Sequence, residues 1–181
     1  MPFTVNGELV EDSVIRAEMR ALRPRYESVA RGMDRAQAEA QLRDWSRDNI
    51  IERVLLRQHA LSDPRPIPAE AIDEAVSAHT PQAGAEEQLR KELEVRLRIE
   101  RLLDQVTSKV SQPRHKDVTD YYRKHKEQFR TPEGISKFAD VKDALENGLH
   151  QRKKERAIES FLDHLRAKAV IEEVTLPASA G

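Results

Sequence analysis

Two short β-prone segments stand at opposite ends of this chain, and almost everything between them reads as helix or turn. Phe3-Thr-Val5, the turn dipeptide Asn6-Gly7 and Glu8-Leu9-Val10 open it as a strand or a tiny hairpin. Val170-Ile-Glu-Glu-Val-Thr-Leu176, stopped by Pro177, closes it as a strand. A two-stranded pair is marginal in water, so neither end is stable unless the two pair and lie on a helix. That condition predicts a small antiparallel pair between the first and last strands, with the last helix part of the same domain as the first. Pairing with a second copy, a homodimer by exchange of a strand or helix, is the alternative.

The interior carries stripes of helical period. Ile15, Met19, Leu22, Tyr26 and Val29 recur at intervals of four, three, four and three, behind Asp12 or Ser13 as a cap. Pro24 inside this run predicts a kink or break near Leu22. Asp34 with Gln37, a capping-box variant, opens a second helix over about 35–61 that carries Leu42, Trp45, Ile51, Val54 and Leu55. The prolines of Ser62–Pro68 end it. A short helix with Ala71, Ile72, Ala75 and Val76 on one side follows, closed by Thr80-Pro-Gln-Ala-Gly84. The next, over about 85–110, carries Leu89, Leu93, Leu97, Ile99, Leu102, Leu103, Val106 and Val110. Its apolar arc is wide enough to place it at the centre of the molecule. Val118, Tyr121, Tyr122, His125 and Phe129 then share a helical face, and Thr131-Pro-Glu-Gly134 stops them. The last helix, about 137–169, changes phase. Phe138, Val141, Leu145 and Leu149 lie on one face, and Ile158, Phe161, Leu162, Leu165 and Ala169 on another. At about 100° per residue the two faces are half a turn apart. Either the helix bends near Gly148 or its halves pack against different partners. The fold class expected is therefore all-α, long helices around a central one, with the small strand pair.

Composition narrows the function. With 35% charged and 4% aromatic residues, the core has to be aliphatic and thin. The 31 basic and 32 acidic residues leave a net charge of −1, which removes the usual electrostatic reason to expect nucleic acid or an anionic membrane. No window approaches the roughly 18 apolar residues of a membrane span, so no membrane insertion is expected. The N-terminus has no basic region followed by an apolar stretch, so no signal peptide is expected in the chain as written, although one removed upstream stays open. There is no cysteine, and the six histidines (59, 79, 115, 125, 150 and 164) include no pair at metal-site helical spacing. Phosphate loops and nucleophile elbows are absent too. No catalytic residue, metal or cofactor is expected. The basic clusters Arg114-His-Lys116, Lys124-His-Lys126 and Arg152-Lys-Lys154 are interleaved with acids and read as solvated helix faces.

Asp117-Val-Thr-Asp-Tyr-Tyr-Arg-Lys-His-Lys-Glu-Gln-Phe-Arg-Thr-Pro-Glu133 resembles the helix that leads into the isomerase domain in the SurA/PrsA/PpiD group of parvulin-type chaperones. Val5-Asn-Gly-Glu-Leu-Val10 is similar to that group's first strand. The break at Pro64–Pro68 before Ala69-Glu-Ala-Ile is similar to the approach to its short third helix. Phe138–Leu145 through Ala169-Val-Ile171 looks like the helix and strand that follow the isomerase. The resemblance spans about Phe3 to Val174, taking 1–133 as the N-terminal part and 138–176 as the piece that completes it. The departure lies between Glu133 and Phe138, where only Gly134-Ile-Ser-Lys137 stands in place of a parvulin domain. The resemblance implies one SurA-like chaperone domain over 1–181, with a fold like the peptide-binding domain shared with trigger factor. It also implies a periplasmic or cell-envelope setting, and a holdase that binds unfolded or extended clients without isomerase activity. Prolyl isomerisation in a full-length parent, and a non-catalytic helical scaffold, are the alternatives. Tyr26, Trp45 and Tyr122 are the candidate peptide-binding residues, because large aromatics supply most contact area per side chain. Against this stands the reading that all three are ordinary core.

Overall fold

The computed structural model describes residues 1–79 and 85–174. The turn expected at Thr80–Gly84 and the strand end expected at Thr175–Pro177 lie outside them. The protein is mostly helical, 71%, with six α-helices among the described residues. In chain order the elements are β1 (Phe3–Val5), β2 (Glu8–Val10), α1 (Asp12–Tyr26), α2 (Arg35–Ser62), α3 (Ala69–Ser77) and α4 (Glu86–Ser108). They continue with α5 (His115–Lys124), a 3-10 turn (Lys126–Phe129), β3 (Arg130–Thr131), β4 (Gly134–Ile135), α6 (Phe138–Lys168) and β5 (Ile171–Glu173). The chain divides into two compact units, Met1–Ile99 with the segment from Leu162 onward, and Glu100–Phe161.

In the first unit the two ends meet. β1 pairs antiparallel with β5, in register Phe3 with Glu173 and Val5 with Ile171. The expected strand pair is part of a larger sheet, because β2 folds back on the other side of β1 and the order is β2-β1-β5. Asn6 and Gly7 make the turn with φ of 50° and 82°, the left-handed backbone that this dipeptide tolerates best. Asn6 also ties both ends together. Its N–H donates to Val170 O at 2.8 Å, and its Oδ1 accepts from Val170 N–H at 2.9 Å. Gln58 of α2 clamps the same turn, accepting from Asn6 Nδ2 at 2.8 Å and donating to Val5 O at 3.0 Å.

Beneath the sheet lies the core: Phe3, Val5 and Val10 from the strands, Ile15, Met19 and Tyr26 from α1, and Leu42, Ile50, Ile51, Val54 and Leu55 from α2. Each such side chain taken fully from water contributes about 1.5–3 kcal/mol. Asp34 caps α2, accepting from Ala36 N–H at 3.0 Å and Gln37 N–H at 3.4 Å. The buried Glu18 carboxylate crosses from α1 to α2, accepting from Asn49 Nδ2 at 2.6 Å and pairing with Arg53 at 2.7 Å. The break expected near Leu22 does not occur, and α1 runs through Pro24 to Tyr26. Pro24 sits in the last turn, so it forfeits one bond where few turns remain to be disrupted, and Tyr26 is still buried. Val29, expected in the α1 stripe, lies beyond the helix and is exposed.

The central position expected of α4 is not found. Leu93 is its only buried residue, and Leu97 and Leu102 are half-buried. The wide arc is two narrower stripes. Leu89, Leu93 and Leu97 centre on one direction, and Ile99, Leu102, Leu103, Val106 and Val110 on another about 125° away at 100° per residue. The switch falls where the first unit passes to the second at Ile99 and Glu100. α6 is one continuous helix across the phase change, and the boundary between the units falls later, after Phe161, so Ile158 and Phe161 stay in the second unit. Leu165 and Ala169 lie against the core of the first unit, whereas Phe138, Val141, Leu145 and Leu149 belong to the second.

The second unit has Val118 as its one fully buried hydrophobic residue. Asp117 caps α5 by accepting from the Arg114 backbone N–H at 3.1 Å. The α-helix ends earlier than the spacing suggests, leaving His125 and Phe129 beyond it. The His125 N–H is shared between Tyr121 O at 3.0 Å and Tyr122 O at 3.3 Å, and the chain tightens into the 3-10 turn. β3 and β4 form a two-stranded hairpin at Arg130–Ile135, where the resemblance leaves room for an isomerase domain. Gly134, at φ 132°, takes a backbone that L side chains rarely adopt.

Candidate functional site

Tyr26 and Trp45 come together, and Tyr122 lies in the other unit. The Tyr26 ring, 3% exposed, closes the end of the core, and its hydroxyl donates to Gln41 Oε1. Trp45, one α2 turn beyond Leu42, meets Tyr26 edge to face, with centroids 5.3 Å apart and planes at 75°. It remains 46% exposed. Tyr26 is thus a support and Trp45 the displayed surface. Tyr26 also borders a cleft of about 760 Å³ whose apolar wall includes Ala30, Ala38 and Leu42. Its rim carries Arg23 and Glu39, paired at 2.9 Å. The hydrogen bond from Arg23, helped by its charge, holds the Glu39 carboxyl below the usual range. Val29 and Met33, both exposed, flank the same end of the helix pair, with Met33 Sδ 3.7 Å from the Tyr26 hydroxyl. Sequence spacing missed Met33 because it falls in the loop between helices, where periodicity carries no signal.

Tyr122 is a packing residue of the second unit. Its ring lies 5.3 Å from Phe129 and 5.4 Å from Phe138, and its hydroxyl donates to Ser136 O at 2.7 Å. The neighbour that faces a groove is Tyr121. A depression of about 440 Å³ is lined by Tyr121, Phe129, Val141, Leu145 and Leu149, with Gly148 on its floor and Arg152 at one end. The Arg152 guanidinium stands 5.2 Å over the Tyr121 ring, and its Nη1 donates to the Tyr121 hydroxyl at 3.0 Å. The adjacent tyrosines do divide into an inward and a groove-facing member, but Tyr122 is the inward one.

Among the described residues no group of three or more His, Asp or Glu could hold a metal ion, and no helix is long and apolar enough to cross a membrane. What both units present is apolar contact with charge at the margin. No protein-family model matches the chain, and no curated protein matches its sequence.

Proposed function

We propose that the chain is a holdase that binds unfolded or extended segments of other polypeptides through the surface around Trp45, and that it lacks isomerase activity. The observation that carries this reading is the half-exposed Trp45 ring, braced on a buried tyrosine beside an open apolar cleft. A tryptophan held in one orientation offers a large contact area at little further entropic cost, which suits sequence-tolerant binding. Exposed Val29 and Met33 extend the patch, and a methionine adapts to varied partners. The order of motifs shared with the SurA/PrsA/PpiD group supports the same reading. The β3–β4 hairpin, which lies where the resemblance places an isomerase domain, is consistent with the same reading.

Mutation separates the two residues. Trp45→Ser should weaken binding of an unfolded client and its protection from aggregation, with stability within about 0.5 kcal/mol of the parent, as for surface changes. Tyr26→Ser should lower both together. Affinity should be micromolar, about −8 kcal/mol, because a flexible client is ordered on binding. An aggregation curve of a denatured client that is unchanged by tens of micromolar protein would end this reading. Turnover of a proline-containing test peptide would overturn its isomerase clause.

A further inference from the structure

The Tyr121–Arg152 groove of the second unit has a polarity that the Trp45 surface lacks. We infer that it binds a polypeptide segment carrying a large apolar side chain next to an Asp or Glu. The apolar half rests on the floor. Ala144, Gly148 and Arg152 are spaced by four on one face of α6, and all three are exposed. A Cβ added at Gly148 would meet nothing within 4 Å, so this stretch of helix is bare backbone open to an incoming side chain. Tyr121, Phe129, Leu145 and Leu149 give that side chain apolar walls.

The charged half rests on Arg152. Its Nη1 is taken by the Tyr121 hydroxyl and its Cζ lies 5.2 Å from the centre of the Tyr121 ring. Its Nε and Nη2 have no partner among the described residues, and it makes no ion pair there. It is therefore a held guanidinium with a free donor edge, the geometry that takes a carboxylate through parallel hydrogen bonds. The surrounding unit is electropositive, since residues 100–161 hold fourteen Lys and Arg against eleven Asp and Glu. One helical turn, about 5–6 Å, separates Gly148 from Arg152. Neighbouring residues of an extended segment are about 3.8 Å apart, so a side chain seated over Gly148 puts the next residue's carboxylate within reach of Arg152.

The test uses two fluorescent peptides that differ only in Phe-Asp against Phe-Asn, titrated by anisotropy against the whole chain. The Asp peptide should bind about tenfold tighter, and Arg152→Gln should erase that difference while leaving the Asn peptide unaffected. Gly148→Leu should weaken both peptides about tenfold with helix content and melting midpoint preserved. Equal binding of the two peptides, or a preference that survives Arg152→Gln, overturns the inference. So does a dimer in sedimentation that Gly148→Leu dissolves, which would make the groove a contact between copies. Trp45→Ser keeps this site distinct from the proposed holdase surface. If it abolishes protection of clients while the Asp preference persists, both readings hold. If protection depends on Trp45 and neither peptide binds, only this inference falls.

Discussion

Leu42 and Leu97 look alike in the sequence, each a leucine in a helical stripe, yet one is closed off from water and the other only half so. Leu42→Ala should cost about 2–5 kcal/mol, the range for buried leucines that leave a cavity, and Leu97→Ala less than about 2 kcal/mol. Urea melts of the two variants check this order. Glu52 offers a second residue-level test. Desolvation raises its carboxyl pKa, Asp48 and Asp163 push the same way, and Arg166 opposes them. An acid whose folded pKa is raised favours folding below its unfolded pKa, and that contribution is lost as pH climbs through the folded value. Glu52→Gln should therefore raise the melting midpoint near pH 7, with the gain shrinking as pH falls toward 4. Trp45 marks where residue-level reading stops. Its place three beyond Leu42 fits a core stripe, but Tyr26 already fills the space between α1 and α2, so the indole edge is left outside. No periodicity records which of two aromatic rings takes the interior.

At the scale of elements, the turn was the most legible feature, because Asn-Gly is the dipeptide whose backbone preference matches a two-residue hairpin. What the dipeptide did not disclose is its double use. Asn6→Ala keeps the hairpin sequence but places an alanine at φ 50°, and it removes side-chain bonds to Val170 and Gln58. It should cost about 1–3 kcal/mol, measured by thermal or urea unfolding, with the loss expressed at both ends of the sheet. The third strand was only half legible, since Phe3–Val10 reads equally as one strand or as a tiny hairpin until β1 is seen to accept partners on both sides. The long helices teach something different. In α6 the phase change is visible as nine residues between Leu149 and Ile158, but the boundary between the units falls after Phe161, so the phase change alone does not locate it. In α4 the same signature passed as a single wide arc, because Leu97 and Ile99 are too close for the switch to leave a polar gap. A wide arc therefore has two physical causes, one surrounded helix or two successive stripes, and only phase counting residue by residue separates them.

At the scale of the whole molecule the apolar burial is unequal. Of the fourteen buried hydrophobic residues among those described, Val118 alone belongs to the second unit. A unit held by so small a core opens locally at lower free energy than one with a continuous cluster. Amide hydrogen exchange should therefore be faster across α5 than across the α2 segment Ile50–Leu55, and a Val118→Ala change should accelerate exchange in α5 while leaving α2 unaltered. Equal protection in both would show that the second unit draws its stability from something other than its buried side chains.

β1 takes its second partner from the far end of the chain, and synthesis runs in one direction. Delivery of Ile171 by the ribosome comes 166 residues after that of Val5. At about 5–20 residues per second the interval is roughly ten to thirty seconds, against microseconds for the β1–β2 hairpin to close. Throughout it the middle strand has one open edge, and the apolar side chains that β5 completes are only partly covered. Glu100–Phe161, by contrast, is contiguous and emerges whole before β5 does. Between the delivery of β1 and that of β5 the nascent chain thus displays unpaired strand and uncovered aliphatic surface, the kind of surface it is proposed to shelter in others.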